Sequence, residues 1–198
     1  MSAVVRYLTH PQVVIDPAVP VPKWGLSPLG RERAIGLARG ARWVPGLALI
    51  VSSDETKALE TAEIVAGASG ARVVVRPAMH ENDRSSTGFL PPPAFEVMAN
   101  RFFANPDTAV EGWEPARAAQ ARIVSETRAA LAEAPPGDVL LVGHGGVGTL
   151  LRCHVVGAAI ARDRDQPAGG GNLHAFAREG WHEIHGWRSI EQELEARS

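Results

Sequence analysis

The sequence has very little of several features that define whole classes of protein. Its 198 residues contain a single cysteine, Cys153, so no disulfide can form within the chain. This low cysteine use favours the cytoplasm over an oxidising compartment. No apolar run approaches the roughly 18 residues of a membrane-spanning helix, and the first residues, MSAVVRYL, lack the pattern of a signal peptide. We therefore expect a cytoplasmic protein with no membrane partner.

An excess of charge of one sign is also missing. Lys and Arg number 20 and Asp and Glu number 22, so the net charge is −2, and no basic stripe is present. Proteins that bind nucleic acid usually carry such a stripe, because phosphate contacts dominate their affinity. We therefore expect no nucleic-acid partner. A small anionic substrate stays compatible with this composition, because it needs only a few local cations, and a homo-oligomer is left open.

Apolar runs alternate with helix-like stretches along the whole chain. Strands are predicted at 4–8, 47–53, 72–75 and 138–142, with two closing strands within 172–187. Helices are predicted at 27–43, 56–70, 94–105, 114–134 and 146–160, the first of them capped by Ser27 with Pro28 at its first position. Alternation of this kind predicts a mostly parallel sheet covered on both faces, a three-layer α/β/α sandwich. Because no linker divides the chain, residues 1–198 are predicted to form one domain, with a tail at about 190–198 that is either a solvated helix end or mobile and disordered.

Two histidines stand at the ends of two predicted strands. The run VVRYLTH ends at His10, and DVLLVGHGG carries His144 before a pair of glycines. The carboxyl ends of parallel strands meet at one edge of the sheet, where open α/β sheets bind their ligands. The sequence therefore predicts one site that is built from both ends of the chain.

The segments around these histidines form an ordered set of motifs. They are found at 9–13, 26–30, 52–62, 80–83 and 144–146. In order and spacing, the set resembles the motifs of the histidine phosphatase superfamily, which includes the cofactor-dependent phosphoglycerate mutases. The resemblance covers about residues 4 to 150. It implies a phosphoglycerate mutase-like fold and a phosphatase acting on a small phosphorylated substrate, without a metal or a cofactor.

The resemblance also implies roles for individual residues. His10 would be the nucleophile that accepts the phosphoryl group, and His144 would stabilise the charge of that group. Glu81 would be the acid that protonates the leaving group, with Asp83 as the alternative. To donate a proton near neutral pH, Glu81 needs a raised pKa, which burial or a nearby phosphate would cause. The backbone N–H groups near Gly145, at a helix start, would bind phosphate.

The chain departs from the family pattern at both phosphate-binding arginines. These positions are Thr9 and Lys57 here, so a hydroxyl and a point charge replace two bidentate guanidinium groups. Lys23 and Arg84, in the loops 11–25 and 82–93, are candidates for the missing positive charge. Trp24 is a third candidate for contact with the substrate.

Several functions stay open at this stage. The preferred one is phosphomonoester hydrolysis through a phosphohistidine at His10. The alternatives are a phosphate- or phosphoester-binding member of the same fold with impaired catalysis, and phosphoryl transfer of the phosphoglycerate mutase type. Family mutases carry longer insertions after the acid than this chain does after Glu81. A zinc site formed by His10, His144 and Glu81 is a valid ligand set, but the phosphate-site motifs around these residues favour a phosphate site.

Overall fold

A computed structural model describes residues 3–196 and shows a six-stranded sheet between two layers of helices. The strands are β1 (Val4–Thr9), β2 (Leu47–Ser52), β3 (Val73–Val75), β4 (Asp138–Gly143), β5 (Asn172–Ala177) and β6 (Glu183–Ser189). The α-helices are α1 (Pro28–Gly40), α2 (Thr56–Ser69), α3 (Pro92–Ala104), α4 (Ala116–Glu133), α5 (Gly145–Val155) and α6 (Ile190–Glu195). The predicted α/β sandwich is confirmed.

The strand order is β3-β2-β4-β1-β5-β6. The first four strands are mutually parallel, whereas β5 runs antiparallel to β1 and β6 runs antiparallel to β5. At the centre of the sheet, β1 and β4 are direct neighbours, and Thr9 pairs with Gly143 at their carboxyl ends. The residues that follow the two strands therefore leave the sheet side by side.

Each face of the sheet carries its own hydrophobic core. Because side chains alternate along a strand, Tyr7 of β1 faces one core and Leu8 faces the other. The Tyr7 core is covered by α3, α4 and α5, and Trp113 lies within it. The Leu8 core is covered by α1, α2 and α6, with Leu37 and Val65 among its buried members. This arrangement explains why the sequence alternates between strands and helices.

Local signals in the sequence define the ends of the helices on the Leu8 side. The Ser27 hydroxyl accepts a hydrogen bond from the Gly30 N–H, 3.1 Å away, and Pro28 is the first residue of α1, as predicted. Gly70, with φ of 71°, ends α2 in the left-handed conformation that favours glycine.

The C-terminal segment contains the short helix α6, which is buried on one side rather than fully solvated or disordered. Ser189 and Gln192 form a reciprocal capping box at the start of α6. Ile190 is buried in the Leu8 core, and a carboxylate oxygen of Glu193 accepts a hydrogen bond from the Trp43 indole at 3.0 Å. The last two residues of the predicted tail, 197 and 198, lie outside the described residues.

Within residues 3–196, no helix is both long and apolar enough to cross a membrane.

Candidate active site

The two strand-end histidines meet at the carboxyl edge of the sheet. The His10 N–H donates to the Gly143 carbonyl at 3.0 Å, which continues the β1–β4 pairing by one residue. The ring centroids of His10 and His144 are 5.4 Å apart, and the two planes meet at 65°. Residues from both ends of the chain are thus brought into contact at one place.

His10 has one ring nitrogen in use and one available. Its Nδ1 lies 2.8 Å from the Pro11 carbonyl oxygen, which can only accept a hydrogen bond. The neutral ring therefore carries its proton on Nδ1 and a lone pair on Nε2. Burial lowers the pKa of His10 to about 3, and the nearby His144 and Lys57 act in the same direction. Near neutral pH His10 is uncharged, which is the state of an imidazole nucleophile.

His144 is almost fully buried and is held on two sides. The Tyr7 hydroxyl accepts from its backbone N–H at 2.9 Å and donates to its carbonyl at 3.1 Å. Its Nε2 lies 2.7 Å from the Ser53 Oγ and 3.4 Å from a carboxylate oxygen of Glu55. Its Nδ1 is buried and has no hydrogen-bond partner among the described residues. Burial lowers the pKa of His144, although Glu55 and Glu81 act to raise it.

The Glu81 carboxylate lies at the start of α5. It accepts hydrogen bonds from the Gly146 and Val147 N–H groups, both at 3.0 Å. A helix N-terminus favours an anion, so this carboxylate is bound at the helix start where we expected phosphate. Burial acts to raise its pKa, but Arg84, His144 and the backbone hydrogen bonds lower it overall. Burial alone therefore does not raise the pKa of Glu81, and a nearby phosphate is the remaining one of the two causes named above.

The two positions that replace the family arginines are engaged within the fold. The Thr9 hydroxyl donates to the Gln166 side chain at 2.8 Å and accepts from the Asn172 N–H at 3.0 Å. The Lys57 ammonium is 4% exposed; it donates to the Glu55 carboxylate and, at 2.9 Å, to the carbonyl of residue 21. Thr9 and Lys57 therefore present neither a free hydroxyl nor an unpaired charge to a ligand.

Glu55 belongs to the site, although the sequence analysis did not single it out. Its carboxylate contacts Lys57 and His144 and accepts the Glu81 N–H at 3.0 Å. Burial acts to raise its pKa, but the adjacent His144 and Lys57 lower it to about 2. The only signal in the sequence was its position two residues before Lys57 in the 52–62 motif.

A cavity of about 460 Å³ opens beside His10. Its other lining residues include Glu81, Asn82, Arg84, Phe95, Glu96, Ala99, Phe102, Phe103, Trp113, Gly145, Gly146, Arg162, Asp165, Gln166 and the segment 167–169.

The two arginines of the cavity differ in their partners. Arg162 is paired with Glu96 and Asp165. The Arg84 guanidinium instead lies over the rings of Phe95 and Trp113, at 5.1 and 5.6 Å, and has no carboxylate partner within 4 Å among residues 3–196. Arg84 thus carries a positive charge beside His10 that no carboxylate pairs with directly.

The other two candidates from the loops do not line this cavity. Lys23 is exposed. The Trp24 indole N–H donates to the carbonyls of Asp16 and Val19, at 2.9 and 3.0 Å, and its ring packs edge-on against Phe89. Trp24 therefore anchors the loop 11–25 from within.

The glycines 169–171 lie directly against His10, a placement that the sequence analysis did not predict. The Gly171 N–H donates to the His10 carbonyl at 3.0 Å. Gly170 has φ of 65°, and a Cβ there would lie only 2.5 Å from the same carbonyl oxygen. Both the conformation and the space require glycine. Three consecutive glycines just before a predicted strand are the only signal in the sequence, and they do not show that this segment contacts His10.

No group of three or more His, Cys, Asp or Glu side chains within residues 3–196 is placed to hold a metal ion. The trio of His10, His144 and Glu81 therefore lacks the geometry of a zinc site, and Glu81 is directed instead to the α5 N–H groups.

Residues 21–184 match the histidine phosphatase superfamily (branch 1). The chain belongs to this superfamily. The match begins after His10, so Thr9, one of the two positions where the sequence departs from the family pattern, lies outside it. Among curated proteins, none matches this sequence.

Solved structures share the fold over nearly the whole chain. A mycobacterial glucosyl-3-phosphoglycerate phosphatase with inorganic phosphate has a TM-score of 0.75 and 22% identity, covering 96% of this chain and 99% of its own. YhfR of Bacillus stearothermophilus has a TM-score of 0.77 and 21% identity, covering 92% and 94%. A putative alpha-ribazole-5'-P phosphatase of Escherichia coli has a TM-score of 0.66 and 19% identity, covering 96% of both chains. At these identities the similarity establishes the fold.

Proposed function

We propose that this member of the histidine phosphatase superfamily is a phosphomonoesterase that works through a phosphohistidine at His10. The observation that carries the proposal is the contact of His10 with His144 at the edge of the sheet, beside a cavity that also contains Glu81 and Arg84. Phosphatases among the proteins of the same fold support hydrolysis as the reaction.

In the first step, the lone pair of His10 Nε2 attacks the phosphorus atom of the ester. A nitrogen–phosphorus bond forms, and the bond from phosphorus to the leaving oxygen breaks. Phosphoryl transfer depends mainly on positioning and on stabilising charge on the transferred group. Arg84 offers a guanidinium for this purpose, and His144 offers a ring nitrogen with no other partner. The hydrogen bond from His10 Nδ1 to the Pro11 carbonyl keeps Nε2 in position.

Glu81 moves the protons in both steps. The incoming phosphate dianion is a like charge beside the Glu81 carboxylate, and a like charge raises the pKa of a carboxyl group. Substrate binding therefore protonates Glu81, which then gives its proton to the leaving oxygen. In the second step, the Glu81 carboxylate takes a proton from the water that attacks phosphorus. The nitrogen–phosphorus bond breaks, phosphate leaves and neutral His10 is restored.

The far wall of the cavity is the part of the site that faces the leaving group. Phe95 and Trp113 carry the Arg84 guanidinium on their rings, and Phe102 and Phe103 close the wall behind them. A cation presented on an aromatic surface suits a small ester whose leaving group carries a further polar or anionic group.

A second candidate function is phosphate or phosphoester binding without turnover. The observation that favours it concerns Thr9 and Lys57, which replace the two family arginines. Lys57 is paired with Glu55, and the Thr9 hydroxyl is hydrogen-bonded to Gln166 and Asn172. A site with fewer free cations stabilises the transferred phosphoryl group less.

Release of p-nitrophenol from p-nitrophenyl phosphate separates the two functions. His10→Ala is compared with wild type, and His154→Ala, at an exposed position on α5, is the matched control. The phosphatase proposal expects release by wild type and the control, loss in His10→Ala, and no effect of a metal chelator. Equal background release from all three proteins contradicts it, and tight phosphate binding with no release supports the binding function instead.

A further inference from the structure

One carboxylate connects three parts of the candidate site. An Oε atom of Glu55 binds the Lys57 ammonium, while the other accepts the Glu81 N–H at 3.0 Å and lies 3.4 Å from His144 Nε2. Glu55 is 8% exposed, so water screens these interactions weakly. The Ser53 hydroxyl accepts the Glu55 N–H at 3.1 Å and lies 2.7 Å from the same His144 nitrogen, which ties Glu55 to His144 a second time.

The charges around His144 cancel before any ligand arrives. The titratable and charged groups that face His144 are Tyr7, His10, Glu55, Lys57, Glu81 and Arg84. Lys57 is neutralised by Glu55, Arg84 is offset by Glu81, and His10 is uncharged. A phosphate dianion that enters this site meets no net positive charge, so the uptake of a proton by a group beside it favours its binding.

His144 has the geometry to take up one of these protons. Its Nε2 faces Ser53 and the Glu55 carboxylate, and its Nδ1 is buried without a partner among the described residues. An imidazolium donates from both nitrogens. One N–H then points to Ser53 and Glu55, and the other, on Nδ1, has no partner among the described residues and can bond to an anion placed beside it.

We propose that Glu55 is a positioning residue that makes His144 a proton-binding group of the phosphate site, so that His144 becomes a cation when phosphate binds. The inference rests on the proposed function, which places phosphate between His10 and His144. At the position where the family has a phosphate-binding arginine, this chain has Lys57, whose charge is neutralised by Glu55. A proton on His144 then supplies the positive charge that the arginine would have provided. Phosphate binding is then accompanied by proton uptake and weakens as pH rises.

Calorimetric titration with inorganic phosphate at pH 7, in two buffers of different ionisation enthalpy, counts the protons taken up. We expect Glu55→Gln to take up fewer protons than wild type, because the amide does not stabilise imidazolium and leaves the Lys57 charge without its carboxylate partner. Glu63→Gln, on the exposed face of α2, is the control and should match wild type. Unchanged proton uptake in Glu55→Gln overturns the inference.

A second measurement does not depend on phosphate. We expect the His144 ring resonances, followed by NMR from pH 8 downward, to titrate at lower pH in Glu55→Gln than in wild type. Glu55→Asp keeps the carboxylate, so its His144 titration should lie between those of Glu55→Gln and wild type. This variant also shows whether the change in Glu55→Gln comes from loss of the carboxylate and not from a folding defect. The same His144 titration in all three proteins contradicts the inference. Absence of phosphate binding by wild type counts against the proposed function alone, because the NMR titration still decides whether Glu55 acts on His144.

Discussion

The two halves of the candidate site differ in how far the fold has already used their polar groups. In the histidine half, formed by His10, His144 and Arg84, the Nε2 of His10, the Nδ1 of His144 and the guanidinium of Arg84 keep capacity for a ligand. In the lysine half, formed by Thr9, Lys57 and Glu55, the hydroxyl and the ammonium are bonded to other parts of the chain. We propose that the first half contacts the ligand, whereas the second stabilises the fold and acts on the ligand only through the contact of Glu55 with His144.

The difference follows from burial. A buried ammonium without a partner is costly, so a lysine that is 4% exposed needs a carboxylate. Once Glu55 supplies that carboxylate, Lys57 contributes little net charge to the site. An arginine over aromatic rings on a cavity wall has no such requirement, and its charge remains available.

Breaking the ion pair of the lysine half should produce the largest change in stability. Lys57→Met leaves Glu55 buried and unpaired, and we expect the free energy of unfolding in urea to fall by about 3–5 kcal/mol. Lys23→Met, at an exposed position, should change it by less than about 0.5 kcal/mol. Adding Glu55→Gln to Lys57→Met should recover part of the loss, since no unpaired charge then remains. If Lys57→Met and Lys23→Met have the same free energy of unfolding, the Lys57–Glu55 ion pair does not stabilise the fold.

Removing the free cation of the histidine half should affect activity rather than stability. Arg84→Gln loses charge-assisted hydrogen bonds to phosphate, and we expect kcat/KM for p-nitrophenyl phosphate to fall about 10- to 100-fold. The unfolding free energy should change by no more than about 2 kcal/mol, the scale of a cation–π contact at a half-buried position. Arg101→Gln, which removes a surface ion pair with Glu111, is the control. A fall in stability with unchanged kinetics contradicts the division between the halves.

Mild acid should affect the two halves differently. His10 and His174 have pKa values lowered to about 3, mainly by burial, against 6.5 for a free histidine. As pH falls below 6.5, the unfolded chain binds protons that the folded protein does not, so stability declines by about 1.4 kcal/mol per pH unit for each such histidine. Glu55, with a pKa of about 2, retains its stabilising charge until pH falls below its unfolded value of 4.5.

Urea unfolding between pH 7.5 and 5 tests this difference in the absence of phosphate. We expect His10→Gln to flatten the decline, because glutamine does not titrate, whereas Glu55→Gln should not flatten it, because Glu55 does not itself titrate in this range. A decline of the same steepness in wild type and His10→Gln is the contrary result.

The strands and helix starts that position the site could be predicted from the sequence, because the signals for them are local. The apolar runs that end at His10 and His144 indicated two strand ends at one edge of the sheet, and Ser27 with Pro28 indicated the start of α1. Parallel pairing of β1 with β4 then makes the two histidines neighbours. These predictions needed only periodicity and capping, which a single sequence contains.

The contacts that decide which groups are free could not be predicted from the sequence. The Thr9 hydroxyl is occupied by Gln166 and Asn172, which reach it only because β5 returns antiparallel beside β1. Apart from its place in the 52–62 motif, nothing in the sequence distinguishes Glu55 from other loop residues. Only the folded structure shows that its carboxylate lies close to His144. The lowered pKa of Glu81 depends likewise on the α5 N–H groups and Arg84, which tertiary structure alone brings together.

The most direct test of the account is to trap the covalent intermediate on His10. Wild-type protein is mixed for milliseconds with a ³²P-labelled phosphomonoester and quenched in alkali, where phosphohistidine survives, and the labelled peptide is identified by mass spectrometry. We predict label on the peptide that contains His10, none in His10→Ala, and loss of the label at the rate of turnover. Turnover by wild type without any labelled His10 peptide, or label that persists in His10→Ala, would contradict the account.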